Sequence, residues 1–418
     1  MPRARSLATS AVDYSRTFPL GLIPRLYGHA RDCEPSAEQT AAFERFAFVG
    51  DPLADDLVAA MKAPGGSRLR RQFEVALADG IAAVPDAPEE LRAFFAFSEQ
   101  VPFWVDQAKL ERAAELIAGL GPIAGPMLMV GLSVTYTTPD GNAVLLRSGD
   151  TRDKAGKRAT ETLAWVADVT ERGGLARGAA GYQGSLRVRL VHAFMRSGMM
   201  KRGDWDNPHL AVNQQVYSNV IVAFAVYPTL AALAVGEVYS RRDREAIFHL
   251  WRYVAHLVGV HPDLIPADQH DMMRLLTLFL RMVIQPDESA TTLGTALVDA
   301  YPGIYGLDGD GRADAIARWL VLHVHTGLAR VTLGRALSDL LGYPKVSPAA
   351  VPLLVSGAAA YGLTTLLDVL PPVRRARCRA MGTLQRRLLD RMMASTGAAM
   401  VATMESKHES APAQGVVA

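Results

Sequence analysis

Cysteine is scarce in this sequence, and an excess of either charge is missing. The 418 residues contain two cysteines, Cys33 and Cys378, which excludes a disulfide scaffold and a cysteine-based zinc or iron–sulfur site. Lys and Arg number 44 against 42 Asp and Glu, a formal net charge of +2. A chain so close to neutral has no strong overall field for phosphate backbones or anionic lipid, and we predict no nucleic-acid partner.

Uninterrupted hydrophobic runs are also few. The first thirty residues have arginines but no apolar run of signal-peptide length, because Asp13, Ser15 and Arg16 interrupt it. We therefore expect a cytoplasmic protein. The charge-free stretch 207–236 is long enough to cross a membrane, but polar side chains occupy its first half and Pro228 divides the second. This pattern predicts two consecutive buried helices and no transmembrane segment.

The common catalytic motifs are missing as well. The sequence contains no GxSxG, no HExxH, no Walker loop, no GxGxxG after a strand and no Asp-Asp-x-x-Asp cluster. These absences count against serine hydrolases, zinc proteases, nucleotide hydrolases, Rossmann enzymes and terpenoid synthases.

What the sequence does contain predicts an all-α protein. Half of the residues are hydrophobic and 21% are charged, as in a folded protein with a large core. Apolar residues recur with helical spacing in more than ten segments. The exception surrounds Pro139-Asp140-Gly141, where a turn signal between β-branched residues predicts an irregular or hairpin-like excursion. We expect an N-terminal extension and first helix (1–50), a core (51–345), C-terminal helices packed on it (346–404) and a flexible tail (405–418).

Histidine carries most of the remaining chemistry. His192 lies on a predicted helix among apolar residues, where it is either a structural histidine or a haem ligand. His249 and His256 lie two helical turns apart on one face, but no carboxylate completes a Glu-x-x-His di-iron pattern. On an upstream helix Arg158, Glu161 and Thr162 share one face, which by spacing alone is typical of a solvated surface.

Several segments occur in an order that resembles the latex clearing protein and oxygenase MpaB family. The similarity extends from about Pro52 to Pro344. Arg158-x-x-x-Thr162 is followed about thirty residues later by Arg-Leu-Val-His192. The supporting segments are Val101-Pro-Phe-Trp104-Val-Asp106, Val212-Asn-Gln214 with Phe224, His256-Leu-Val-Gly259-Val-His-Pro262, and Leu333-Gly334 through Leu341-Gly342-Tyr-Pro344.

The resemblance implies a globin-like helical core, with additional helices enclosing a pocket for haem b. It implies His192 as the proximal ligand to the iron, and Arg158 and Thr162 near the distal or propionate side. Phe194, Met195 and Phe224 become candidates for packing against the cofactor. Family members of the latex clearing type use oxygen to cleave the double bonds of polyisoprene.

One position departs from that subgroup, which has a lysine where this chain has Glu161. A carboxylate beside the Arg158 guanidinium forms an acid–base pair suited to moving a proton on bound oxygen or peroxide, unless Glu161 only pairs with Arg158 at the surface. Without an export signal, a solid extracellular polymer is not the expected substrate. We predict a haem b-dependent oxygenase that uses oxygen on a small apolar, unsaturated isoprenoid or lipid-like molecule, by cleavage or hydroxylation. The alternatives are a peroxide-dependent peroxygenase or peroxidase and a non-catalytic haem or lipid carrier; no oligomeric state is predicted.

Overall fold

A computed structural model describes residues 12–27, 32–147, 152–346 except 202 and 204, and 348–398 except 349, 367 and 368. Over these residues the secondary structure is helical, and the predicted all-α fold is confirmed. The predicted tail, 405–418, lies outside the described residues. The first ten α-helices are α1 (Ile23–Tyr27), α2 (Ala37–Arg45), α3 (Pro52–Lys62), α4 (Gly66–Asp79), α5 (Glu89–Glu99), α6 (Gln107–Leu120), α7 (Ala124–Thr135), α8 (Pro139–Arg147), α9 (Arg152–Val169) and α10 (Ala180–Lys201).

The second half of the chain continues in the same way. It contains α11 (Gln214–Tyr217), α12 (Asn219–Ile221), a π-helical turn (Val222–Val226), α13 (Tyr227–Ala234), α14 (Arg241–Leu257), α15 (Gln269–Met282), α16 (Glu288–Ile304), α17 (Arg312–Leu340), α18 (Ala350–Leu366) and α19 (Pro371–Thr396).

Local sequence signals explain several helix starts. Ser36 and Gln39 form the reciprocal hydrogen bonds of a capping box at the start of α2. The Asp51 side chain accepts from the Ala54 amide at the start of α3, with Pro52 at the first helical position. The polar residue at each start satisfies amide groups that have no partner within the helix.

The predicted hairpin-like excursion is wrong, because α8 occupies that segment. Pro139 opens α8, Asp140 lies in its first turn, and the Asn142 amide donates to the Thr138 carbonyl. Proline is favoured in the first turn of a helix, where its missing N–H is not needed. An acidic residue there stabilises the helix, because its negative charge lies at the positive end of the helix dipole. The same Pro-Asp-Gly triplet that marks a turn therefore also starts a helix.

The apolar stretch 214–234 contains α11, α12, the π-helical turn and α13, and the break expected at Pro228 is not observed. Pro228 is tolerated in the first turn of α13, directly after the π-helical turn. Two stretches, Gln107–Thr135 and Gln214–Ala234, are long and apolar enough to cross a membrane. In their most apolar windows, 67% and 72% of the residues are buried inside the protein, as in the core helices of soluble proteins.

One hydrophobic core connects most of the described chain. It extends in sequence from Leu20 to Met392 and includes residues of the N-terminal helices as well as α19. Within it α9 packs against α10, α16 and α19, while α10 also packs against α3 and α14. The helices that carry Arg158 and His192 therefore lie side by side near the centre of the fold.

Candidate functional site

Helices α9 and α10 run antiparallel in a register fixed by two glycines. An added Cβ on Gly181 would lie 2.6 Å from the Val169 Cα, and one on Gly184 would lie 3.0 Å from Cδ1 of Trp165. Beside them, Nε1–H of Trp165 donates to the Ser185 hydroxyl at 3.2 Å. The absence of side chains on these glycines allows the two helices to approach closely at one end.

The same register brings Arg158 level with His192. Arg158 lies seven residues before Trp165, and His192 lies seven residues after Ser185. Because the helices are antiparallel, both residues lie about 10 Å along the helix axes from the Trp165–Ser185 hydrogen bond, in the same direction. A third helical stretch repeats this spacing: Tyr217 contacts the His192 ring, and Phe224, seven residues later, contacts Trp165. The three helices therefore meet at two levels, which we call the His192 level and the Trp165 level.

His192 has the environment of a neutral ligand. Its ring packs edge-on against Tyr217, with centroids 4.8 Å apart, and its buried Nδ1 has no hydrogen-bond partner. The side chain still keeps some accessible surface. Burial, and secondly the charge of Arg196, lowers the pKa of His192 to about 4. At neutral pH the imidazole is therefore uncharged and able to bind a metal.

The α9 side of the His192 level carries polar groups. Arg158, Glu161 and Thr162 share one helix face, and all three are partly exposed. A terminal N–H of Arg158 donates to the Tyr136 hydroxyl at 2.8 Å, and its guanidinium lies 5.6 Å from that ring centroid. The Thr162 hydroxyl donates to the Arg158 carbonyl at 3.0 Å, within the helix. Tyr136, which the sequence analysis did not identify, thus holds Arg158 in place.

The structure separates Phe194 from Met195, which stays on the face of α10 that carries His192. Met195 lies one turn from His192 and packs with Val144 and Met199 against α8. Phe194 lies under the Lys62 ammonium, 5.4 Å from its ring centroid, and helical geometry turns it about 200° from His192. These two neighbours in sequence therefore contact different helices.

Phe224 belongs to the Trp165 level. It stacks on Trp251 with ring centroids 5.3 Å apart and lies within the π-helical turn, a feature that recurs at functional sites. It borders an apolar cavity of about 20 Å³, close to the size of one water molecule. That cavity is also lined by other residues of α6, α7, α9 and α14, among them Ile117, Met127, Leu128, Val166, Ile247 and Trp251.

The donor set at the His192 level fits haem better than a bare metal ion. Over the part of the chain that the structure describes, no three His, Cys, Asp or Glu side chains are grouped to hold a metal. A single neutral imidazole would suffice to hold haem, because the porphyrin itself supplies four nitrogen ligands to the iron. On the same face of α10 as His192, Val188, Val191 and Met195 keep accessible surface against which an apolar macrocycle would pack.

His249 and His256 have structural contacts instead. The Asp106 amide donates to Nε2 of His249 at 2.8 Å, and His256 stacks on Phe97 with ring centroids 4.4 Å apart. Trp104 packs edge-on against both histidines. This pair therefore docks the loop before α6 onto α14.

A buried ion pair also holds α10 in place. Arg189 donates two hydrogen bonds to Asp51, at 2.6 and 2.8 Å, and its guanidinium lies 4.8 Å from the ring centroids of Phe94 and Phe97. Gly259, at φ +86°, passes directly over this pair, since an added Cβ would lie 2.3 Å from the Asp51 Oδ2. Only glycine fits there without displacing the ion pair.

Gln214 connects the surrounding loops. Its side-chain amide donates to the carbonyls of Gly50 and Gly259 at 3.1 and 2.9 Å, and its oxygen accepts from the His261 amide at 2.8 Å. The segments singled out around Asn213-Gln214 and Gly259 therefore position α10, the helix that carries His192.

A second ion pair lies one heptad further along α10. Arg196 contacts Asp55 at 2.7 Å and donates to the Val212 carbonyl at 2.8 Å. Val212 has φ +50°, an unfavourable conformation for a β-branched residue, which indicates that its surroundings hold it there.

The fold and the site define a helical protein with a neutral histidine on α10, level with Arg158 on the antiparallel helix α9. Residues 112–365 match the model of the family described as ER-bound oxygenase mpaB/B'/Rubber oxygenase, catalytic domain. This match covers well over half of the chain, so the chain belongs to that family. It is an enzyme of the oxidoreductase class, which decides against the non-catalytic carrier.

Two known proteins show the extent of the similarity. The chain is 26% identical over 316 residues to the Rubber oxygenase of Streptomyces sp. (strain K30), covering 71% of this chain and 72% of that protein. Its fold is similar to that in the structure of Latex Clearing Protein LCP in the closed state, with a TM-score of 0.57 and 18% identity. That similarity covers 81% of this chain and 91% of the other.

The buried histidines predict a steep loss of stability in mild acid. Burial lowers the pKa of His249 and of His325 to about 4 in the folded protein, with Arg252 adding to the effect at His249. The unfolded chain, with a pKa near 6.5, binds more protons between these values, so the free energy of unfolding falls as pH decreases from about 6.5 to 4. Each histidine contributes a slope of up to about 1.4 kcal/mol per pH unit.

Urea unfolding at pH 7, 6 and 5 measures this slope. A variant with His249→Gln and His325→Gln should show a shallower dependence on pH than the wild-type chain. Equal slopes for the two proteins would contradict the assignment.

Proposed function

We propose that the chain is a haem b-dependent oxygenase with His192 as the protein ligand to iron. The observation that carries this proposal is the His192 imidazole, neutral and partly accessible, with an unpartnered buried Nδ1, level with Arg158 on the facing helix. The oxygenase family to which the chain belongs supports the proposal.

Haem, when bound, would supply an iron that binds and activates oxygen. Around it, the accessible face of α10 formed by Val188, Val191 and Met195 would pack against the macrocycle and exclude water. The buried ion pair between Arg189 and Asp51 keeps α10 in a fixed position. A fixed ligand helix favours a defined orientation of the imidazole.

Arg158 and Glu161 would perform the polar part of the reaction. The Arg158 guanidinium, held by Tyr136, would donate hydrogen bonds to negative charge that develops on oxygen atoms at the His192 level. The Glu161 carboxylate, one turn away on the same face, would accept or return a proton. The Thr162 hydroxyl is used within its helix, so its role would be to hold the backbone around Arg158.

The substrate we propose is an apolar, unsaturated isoprenoid or lipid-like molecule, cleaved or hydroxylated with oxygen. The similar Streptomyces protein is named a rubber oxygenase, and rubber is a polymeric isoprenoid alkene. Aromatic and methionine side chains at the Trp165 level, among them Phe224, Trp251 and Met127, line the apolar cavity there. Such a lining favours hydrocarbon over polar substrates.

Removing either polar group should abolish most turnover without removing the cofactor. Arg158→Gln and Glu161→Gln are each expected to keep haem and to lower kcat about 100-fold, the typical effect of a charge-stabilising or proton-transferring group. Lys157→Gln, which removes an exposed cation next to Arg158, is the matched control and should retain wild-type activity.

Oxygen consumption and product analysis with a short polyprenoid measure this effect, with haem content recorded for each variant. Turnover with hydrogen peroxide under anaerobic conditions would instead favour the peroxygenase. Full activity of both variants would remove the proposed roles of Arg158 and Glu161.

A further inference from the structure

Helix α18 exposes an apolar surface. From Val346 to Leu367 the sequence has no charged residue, yet much of α18 faces solvent. Val355 and Leu363 are each 63% exposed and Leu366 is 68% exposed; beyond the helix, Val369 and Leu370 are 81% and 59% exposed. Within α18 these three residues recur at intervals of eight and three, which places them in one arc of the helix. We call these five residues the apolar stripe.

The other side of α18 is attached to the protein. The Tyr361 hydroxyl donates to the Gly119 carbonyl at 3.0 Å. The helix is thus fixed by a specific contact on one side while the apolar stripe is exposed on another. Contiguous exposed apolar surface of this kind marks an interaction site.

Arginines follow the apolar stripe closely in the sequence, beginning at Arg374. Helix α19 has seven arginines and one acidic residue, Asp390. Three of the arginines turn inward: Arg374 contacts Glu115, Arg377 donates to the Gly119 carbonyl, and Arg386 contacts Asp168.

The other four arginines are exposed and recur at multiples of four residues: Arg375, Arg379, Arg387 and Arg391. Among the described residues no carboxylate forms a salt bridge with any of these four. We call them the basic row; it extends about 24 Å along α19. The net charge of +2 conceals this local concentration of positive charge.

We propose that the apolar stripe and the basic row together bind the surface of a membrane that contains anionic lipids. The stripe would enter the boundary between headgroups and acyl chains, while the guanidinium groups would bind lipid phosphates and carboxylates. A second copy of the chain fits this surface less well. A two-fold interface built from this surface would contain both basic rows, and α19 has one acidic residue to pair with them.

Sedimentation of the full-length chain with vesicles tests the proposal. Vesicles of phosphatidylcholine with 30% phosphatidylserine should bind the protein at least tenfold more tightly than vesicles of phosphatidylcholine alone. Leu363→Asp should weaken binding at least tenfold. Ile316→Asp on α17, which replaces an apolar residue of similar exposure (61%), is the matched control and should bind as the wild-type chain does.

Arg387→Gln combined with Arg391→Gln tests the basic row without disturbing any apolar contact, and so remains informative if Leu363→Asp does not fold. This variant should bind anionic vesicles several-fold more weakly and lose part of the salt dependence. Equal binding to both kinds of vesicle, no binding to either, or equal losses in the control would overturn the proposal. So would a stoichiometric dimer in light scattering that Leu363→Asp dissociates, because the occupant would then be a second copy.

Discussion

Replacing His192 with alanine should remove the cofactor from the protein. The imidazole is the protein's proposed bond to iron, and the described residues around it offer no grouped metal-ligating side chains to take its place. Because loss of even a supporting group weakens metal binding by about 10–100-fold, loss of the ligand itself should weaken haem retention by at least about 100-fold. The haem-to-protein ratio of the purified variant, compared with the wild type, measures this effect.

His249→Ala is the matched control for that variant. His249 is also buried, its Nδ1 also has no hydrogen-bond partner, and its pKa is likewise lowered to about 4. On α14, its Nε2 accepts a hydrogen bond from the Asp106 amide, and it has no proposed contact with the cofactor. This control should therefore keep its haem, although it should be less stable. Equal retention of haem by the two variants would contradict the role of His192.

Asp51→Asn should destabilise the fold by about 3–5 kcal/mol, because it leaves the Arg189 charge buried without its partner. The side chains of Arg189 and Asp51 are 2% and 5% exposed, so water cannot replace the lost carboxylate. The free energy of unfolding from urea titration measures the change. Asp86→Asn, in the exposed ion pair with Arg68, is the control and should leave the free energy of unfolding close to that of the wild type.

The Asp51 variant also tests how α10 is held. If the ion pair positions the helix that carries His192, Asp51→Asn should lose haem faster than the wild type at a temperature where both remain folded. A loss of stability below about 1 kcal/mol would show that the charges are solvated or paired differently.

The helices and the all-α fold were predictable because helical periodicity is a local signal. The segment Pro139–Arg147 was mispredicted because a Pro-Asp-Gly triplet fits both a turn and the first turn of a helix. Here burial of Asn142 and Val144 decides between them, and burial depends on the rest of the chain.

The site was predictable only in part. His192, Arg158 and Glu161 were singled out through the resemblance, and the register of α9 against α10 shows why His192 and Arg158, 34 positions apart, lie level with each other. That register depends on close packing at Gly181 and Gly184, which no periodicity reveals. The separate directions of Phe194 and Met195, in contrast, follow from helical geometry alone.

The ion pair between Asp51 and Arg189 could not be predicted, because its members lie 138 residues apart. Neither residue differs in its local sequence from a surface charge. Tyr136 escaped prediction for the same reason, since its contact with Arg158 joins the end of α7 to the middle of α9.

The absorption spectrum of the freshly purified chain, with a pyridine haemochrome assay, tests the central claim most directly because it requires no assumption about the substrate. The proposed function predicts a Soret band and about one haem b per chain, bound through a single histidine. A colourless protein that takes up no haem on reconstitution would contradict it.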